Sequence, residues 1–278
     1  MQGKTIVATG ATSGIGERAV VALAGQGARI VFVARDARRA EATKAKLEAA
    51  APGLGHRFHL ADLSLIADTK RVGADIAASE PRIDVLVNNA GAVFSDRRVT
   101  REGLEMTFAL NHMAYFTLTR ALLDRLKGSS PARIVSTASR AHVGAKLDFG
   151  DLQSAKGYGA FKAYGRSKLA NILFTRELAR RIAGTGIVAN SLHPGFVATR
   201  FGDESGGWLG RLIPFAKNFA ISIDQGADTI VYLASSPECA DLSGFYWSRR
   251  KRIEPSPEGR EDAAAARLWS ASEALAGR

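Results

Sequence analysis

Residues 5–16 read Thr-Ile-Val-Ala-Thr-Gly-Ala-Thr-Ser-Gly-Ile-Gly, an apolar run, a glycine-rich turn and the start of a helical pattern. Residues 5–8 are a short apolar run with β-branched side chains, the pattern of a strand buried on both faces. Over residues 14–26 the apolar spacing becomes helical. Between the two, Gly10, Gly14 and Gly16 allow a tight turn and a close approach of backbone to ligand. Thr12, Ser13 and Ile15 complete a loop that ends on the free N–H groups of a helix N-terminus, where a pyrophosphate is held. Three glycines by themselves often serve a turn only. Their place in the first strand–turn–helix unit is what points to a nucleotide.

The alternation continues outward. Residues 29–34, 56–61, 83–87, 133–137 and 187–192 are further apolar runs, and helical patterns cover 36–50, 65–79, 102–126 and 164–183. Strands apolar on both faces and separated by helices predict a parallel sheet covered on two sides, with right-handed crossovers. The fold class expected is α/β: a single-domain, doubly wound Rossmann fold with a parallel seven-stranded sheet and helices on both faces. No linker or internal repeat interrupts residues 1–253. Residues 254–259 form a Pro-containing loop, and the tail to residue 278 is expected to end in one short helix packed on the same domain.

Composition agrees with an ordinary globular chain. Its 278 residues are 46% hydrophobic and 23% charged, which supplies a core and excludes disorder or a fibrous repeat. The single Cys239 forms no internal disulfide and offers no cysteine-based zinc site. No run reaches the roughly eighteen apolar residues of a membrane span, and no signal-like segment precedes the first strand. A soluble cytoplasmic protein is the expectation. The net charge of +11 is carried mainly by arginine. Its one dense cluster, Arg249-Arg250-Lys251-Arg252, lacks interleaved aromatics and any DNA- or RNA-binding signature. A solvated basic surface is therefore preferred, with no nucleic acid partner; contact with a membrane surface is the minor reading.

With its Gly-x3-Gly-x-Gly spacing the sequence resembles the short-chain dehydrogenase/reductase family, and further motifs match in order over nearly the whole chain. These are Asp62-Leu63, Asn88-Asn89-Ala90-Gly91, Asn111, Ser139, Tyr164-x3-Lys168 and Pro194-Gly195. The stretch between Ser139 and Tyr164 is longer than in most members. With Ser167-Lys168-Leu169-Ala170-Asn171 and Arg267-Leu268-Trp269, it resembles the retinol dehydrogenase-like branch, as a soluble bacterial-type member. Animal enzymes of that branch commonly carry an N-terminal membrane anchor, which is not seen ahead of residue 5, so retinoid activity is not expected to carry over. The resemblance implies cofactor contacts from the glycine turn, Asp62, Leu63, Asn89, Ala90, Gly91, Tyr164, Lys168, Pro194, Gly195, Val197 and Thr199.

Arginine at the end of the second strand bears on which cofactor. An NAD enzyme of this kind needs an acid there for the ribose hydroxyls. The strand instead ends Val33-Ala34-Arg35-Asp36, and a guanidinium at Arg35 suits the 2′-phosphate of NADP, with Arg38 nearby. NADP(H) is thus preferred over NAD(H). The competing reading has Asp36 on the ribose and Arg35 in solvent.

Tyr164 and Lys168 are spaced i, i+4 and share a helix face. A free tyrosine titrates at about 10, too high for a good base at neutral pH. A neighbouring ammonium and an oxidised nicotinamide are expected to lower it. By resemblance Lys168 also holds the nicotinamide ribose, Ser139 hydrogen-bonds the substrate oxygen, and Asn111 helps a water-linked proton relay. The function implied is an NADP(H)-dependent carbonyl reductase or alcohol dehydrogenase acting on a small hydrophobic ketone, aldehyde or secondary alcohol. A catalytically silent nucleotide sensor is the alternative, although such proteins usually have a damaged Tyr-x3-Lys pair.

Other residues carry weaker signals. His112 and His193 are expected to pack rather than ligate, and no metal site is expected. His142, Tyr158 and Phe161 are candidate substrate contacts, His142 because it follows Ser139 by three positions. The apolar stretch 208–221, within a lid at about 200–222, suggests a hydrophobic substrate. Members of the family pair through helices beside the active site, so a homodimer or homotetramer is expected.

Overall fold

The structure, a computed structural model, describes residues 1–195 and 222–277. The expected lid and the positions Val197 and Thr199 lie outside the described residues.

In chain order the elements begin β1 (Thr5–Thr9), α1 (Gly14–Gly25), β2 (Arg29–Ala34), α2 (Ala37–Ala50), β3 (Arg57–Leu60), α3 (Ile66–Ser79) and β4 (Val85–Asn88). They continue with α4 (Met106–Phe108), a π-helical turn (Ala109–Met113), α5 (Ala114–Gly128), β5 (Ala132–Thr137), α6 (Ala160–Arg181) and β6 (Ile187–Leu192). The rest are α7 (Ile223–Ser235), β7 (Tyr246–Ser248), β8 (Lys251–Ile253) and α8 (Asp262–Ala276). The strand order is β3-β2-β1-β4-β5-β6-β7-β8. Strand order reverses at β1, between β2 and β4, and the crevice outside the carboxyl ends of β1 and β4 is where such a sheet binds ligands.

The sheet has eight strands among the described residues rather than seven, and it is not wholly parallel. β7 and β8 form an antiparallel hairpin. Its turn residues, Arg249 and Arg250, are left-handed at φ 49° and 59°. Lys251–Ile253 carries no apolar signature because it is an edge strand with little burial.

The helix expected over 102–126 begins only at Met106, where the Glu105 carboxylate accepts from the Thr107 and Phe108 N–H groups and caps it. The helix then widens into the π-turn that carries Asn111. α7 was not expected. It is started by a capping box between Ser222 and Gln225.

Each face of the sheet has its own core. Ile6, Leu23, Phe32 and Ile230 are among the buried side chains on the α1, α2 and α7 side, and Leu86, Phe116, Leu122 and Phe174 on the α3, α5 and α6 side. The tail helix is a full 15-residue α8. Its Trp269 stacks on Phe174 with ring centroids 5.9 Å apart and meets Phe116 edge-on at 5.0 Å. α8 thereby covers part of the face that α5 and α6 present beside the site.

Candidate active site

The glycine turn is laced to its neighbours. Thr9 Oγ1 accepts from the Asn89 and Ala90 N–H groups at 2.9 and 3.1 Å. The Asn89 amide donates to the Gly10 carbonyl at 3.2 Å, and Thr137 Oγ1 donates to Asn89 Oδ1 at 3.0 Å. These bonds tie the ends of β1, β4 and β5 together around the crevice. A Cβ on Gly16 would run into the Gly10 carbonyl oxygen and the Asn89 amide, so this cradle requires glycine there. Thr12 and Ile15 are half-buried beside exposed Ser13, which caps α1 without using its side chain.

At the end of β2, Arg35 is exposed, and with Asp62, Ser64, Phe94 and Arg98 it lines a cavity of about 390 Å³. Asp36 is engaged elsewhere: its carboxylate accepts from the Arg39 N–H at 2.8 Å and caps α2. Arg38 is exposed on the first turn of α2. Asp62 Oδ1 accepts from the Ser64 N–H and hydroxyl at 3.0 and 2.7 Å, while Leu63 is buried in the core. Arg98 was not found by sequence reasoning, since one arginine in a loop carries no signal.

The four catalytic candidates come from three elements and converge. Asn111 Oδ1 accepts from the Ala92 N–H at 2.9 Å, and its amide donates to the Ala92 carbonyl and to Ser167 Oγ, both at 3.0 Å. Its side chain thus clamps the loop after β4. Lys168 is 2% exposed, and its Nζ donates to the Thr137 carbonyl at 3.0 Å. The same ammonium lies 5.6 Å from the Tyr164 ring centroid. A Cβ on Gly91 would stand 3.1 Å from Asn111 Oδ1 and 3.3 Å from Lys168 Nζ, which puts the three residues around one small space. The Ser139 side chain lies near enough to the Tyr164 phenol to favour its ionised form.

Burial dominates the electrostatics. It pushes the Tyr164 phenol up to about 12, opposed in part by Ser139, and brings the Lys168 ammonium down to about 7. Burial thus outweighs the ammonium that, together with an oxidised nicotinamide, is expected to lower the tyrosine. Both groups are cut off from water, and each favours its neutral form.

Pro194 and Gly195 follow β6, and the Gly195 N–H donates to His193 Nδ1 at 3.1 Å. His142 is buried with both ring nitrogens used inside the chain, by Ser139 and by Ser256, so neither is left for a substrate. The Tyr158 hydroxyl donates to the Phe94 carbonyl at 2.8 Å and joins two loops. Phe161 is 61% exposed at the start of α6. Tyr246, which sequence reasoning missed, is buried close enough to Tyr164 that the latter disfavours ionisation of the Tyr246 phenol. His112 is wholly buried among Phe108, Phe116 and Phe174, with Nε2 2.8 Å from Ser272 Oγ.

Comparison with known proteins agrees with this arrangement. Residues 4–209 match the model of the short chain dehydrogenase family. Retinol dehydrogenase 13 of Homo sapiens is 38% identical over 99% of this chain and 85% of its own length. A crystal structure of a protein from Mycobacterium paratuberculosis is 30% identical with a TM-score of 0.80, covering 99% of this chain and 94% of that one. The NADP active-site complex of RhlG from Pseudomonas aeruginosa is 27% identical with a TM-score of 0.71, covering 89% and 95%.

Proposed function

The chain belongs to the short-chain dehydrogenase family, in its retinol dehydrogenase-like branch, and from that premise we propose an NADP(H)-dependent oxidoreductase that interconverts a hydrophobic ketone or aldehyde and its alcohol. The observation that carries this reading is the convergence of Asn111 and Lys168 around Gly91, with the Tyr164 ring 5.6 Å from the lysine nitrogen and Ser139 near the phenol. Burying a lysine without an anion is costly, and a site that keeps one has a use for it.

The residues fit a dinucleotide. The cradle at Gly16 admits close backbone approach, the N-terminus of α1 is open at Ser13, and Arg35 and Asp62 flank the cavity at the adenosine end. When bound, the nicotinamide supplies or accepts the hydride. Arg35 would meet a 2′-phosphate, and the preference for NADP(H) over NAD(H) is supported by Asp36, whose carboxylate is held as a helix cap. That RhlG was solved with NADP points the same way. Lys168 would hold the nicotinamide ribose, with Asn89, Ala90, Gly91, Pro194, Gly195, Val197 and Thr199 completing the contacts.

In the reductive direction the Ser139 hydroxyl donates to the substrate carbonyl oxygen. Tyr164 Oη, kept protonated by burial at neutral pH, donates its proton to that oxygen as negative charge develops. A phenol held neutral suits the donor role that the reductive direction needs. Asn111 keeps the loop after β4 in place beside Lys168.

The apolar character of the substrate is supported by the retinol dehydrogenase relatives and by the apolar stretch 208–221. The same reading carries a homodimer or homotetramer and a cytoplasmic location; no described helix is long and apolar enough to cross a membrane. The test is titration with NADPH and NADH followed by cofactor fluorescence, then turnover on hydrophobic ketones and aldehydes, retinal included. Tight NADPH binding with oxidation on some substrates is expected. Binding without any turnover would favour the sensor reading.

A further inference from the structure

Ser139 has an extended backbone and starts a 3-10 turn, Arg140–His142, in which its own Oγ accepts from the Ala141 N–H at 3.2 Å. Its carbonyl oxygen receives two bonds from one residue: the His142 backbone N–H at 3.1 Å and the His142 ring Nδ1 at 2.7 Å. A carbonyl only accepts, so Nδ1 carries the hydrogen. On the other side of the ring, the Ser256 backbone N–H points at Nε2 at 3.0 Å. A backbone amide only donates, so Nε2 carries the lone pair. The two partners fix one neutral tautomer and one ring orientation.

The ring has no room to turn. His142 is 3% exposed, and Tyr246 packs against it edge-on with centroids 5.1 Å apart. Tyr246 in turn lies 5.7 Å from the His193 ring. The Ser256 backbone belongs to the loop between β8 and α8, 114 residues beyond His142. Its φ of −57° and ψ of 161° make it extended and fixed between Pro255 and Pro257.

We propose that His142 is a positioning residue for Ser139, and that the loop after β8 sets it by locking the imidazole in the Nδ1–H form. The ring grips the serine's carbonyl from behind the site, so the hydroxyl stays aimed at Tyr164 and at a substrate oxygen. The segment carrying Ser256 thereby takes part in the chemistry without touching substrate. This inference rests on the reading of Ser139 as the substrate's hydrogen-bond donor, and its test separates the two.

Ser256→Pro deletes the N–H, and the φ of −57° already suits a proline ring. Ser256→Ala, which loses the hydroxyl and keeps the N–H, is its comparison. His142→Phe removes the ring's bonds to Ser139 and Ser256 and its 3.4 Å contact with the Tyr246 hydroxyl, and His142→Asn returns an N–H donor near the Nδ1 position. Each is measured for kcat, KM, NADPH affinity and thermal midpoint, alongside Ser139→Ala and the double variant Ser139→Ala/His142→Phe. His142→Phe and Ser256→Pro are expected to lower kcat by about 10- to 100-fold, the scale of a misplaced catalytic group, with NADPH affinity within about two-fold. His142→Asn recovers most of that loss, and Ser256→Ala stays closer to the parent than Ser256→Pro. The double variant loses no more than Ser139→Ala alone, because His142 acts only through Ser139. Additive losses in the double variant, or parental kcat in folded His142→Phe and Ser256→Pro, would overturn the proposal. Parental kcat in Ser139→Ala would instead overturn the reading of the serine. Should His142→Phe fail to fold, Ser256→Pro and His142→Asn decide the question by the same criteria.

Discussion

Lys168 Nζ donates to the Thr137 carbonyl at 3.0 Å and forms no ion pair among the described residues. The fold therefore holds a desolvated ammonium on the strength of one neutral acceptor and two aromatic faces, Tyr115 and Tyr164. Its depression from 10.5 to about 7 means that the unfolded chain binds this proton more readily. The penalty is full below about pH 7 and fades as pH rises toward the unfolded value of 10.5. Lys168→Met should abolish turnover and raise the thermal midpoint of the ligand-free protein at neutral pH by about 3–6 °C. Scanning calorimetry between pH 7 and 10 should show that advantage shrinking. An equal or lower midpoint at pH 7 would mean the ammonium is better solvated than its burial implies.

Tyr164→Phe should keep NADPH affinity and lose about 10²–10⁴-fold in kcat, the range for a lost general acid. Because burial raises the phenol to about 12, ultraviolet difference titration of parent against variant should reveal no phenolate from this residue below about pH 10. A phenolate forming near neutrality in the ligand-free protein would contradict the sign given to this group.

Arg35 and Arg98 line one cavity with Asp62. Replacing Arg35 with Ala should weaken NADPH binding by about 10- to 100-fold, the scale of a charge-assisted pair, and NADH binding far less. Arg98→Ala should show the same bias to a smaller extent. Fluorescence titration with both cofactors reads this directly, and equal losses for the two would remove the 2′-phosphate from the account.

The Gly16 cradle gives a sharper expectation. A methyl group there meets the Gly10 backbone as well as the Asn89 side-chain amide, so Gly16→Ala should cost about 1–3 kcal/mol of stability and remove measurable NADPH binding. Denaturant melts and titration together check it.

Part of the acid sensitivity should come from His112, whose burial lowers it from 6.5 to about 4, as it does His193. The stability it contributes by staying neutral is complete above about pH 6.5 and is lost as pH falls toward 4. His112→Gln should flatten the fall in thermal midpoint across that window. An unchanged slope would place the acid sensitivity in other groups.

Much of this molecule was legible from its residues. Apolar strands, the Gly10–Gly16 turn and the i, i+4 spacing of Tyr164 and Lys168 each carry a local signature, because their spacing is set by neighbours in the chain, whereas Ser139 is found only through the family resemblance. What escaped is decided at a distance or by solvent. β8 is charged at an exposed edge, so no hydrophobic pattern announces it. The π-turn at Asn111 comes from packing and clamping to Ala92, which spacing cannot reveal. His142 looked like a pocket residue because it follows Ser139 closely, whereas its second partner lies 114 residues away. The burial of Tyr164 was hidden for a related reason: sequence supplies the charge beside a group but not the water it has lost. α7 is the exception, since the Ser222/Gln225 box was there to be read.

The covering of α5 and α6 by α8 also orders events at the ribosome. A chain emerges from its N-terminus and folds as it emerges, so the sheet and the glycine turn can form while residues 254–277 are still being made. Until then Phe116 and Phe174 lack Trp269, and the His142 ring lacks the Ser256 N–H. Nascent protein in that interval would bind nucleotide before it could turn over substrate, and its bare aromatic face would be a target for chaperones. Arrested chains ending near residue 253 should therefore be trapped by a holdase, and release should coincide with the appearance of activity.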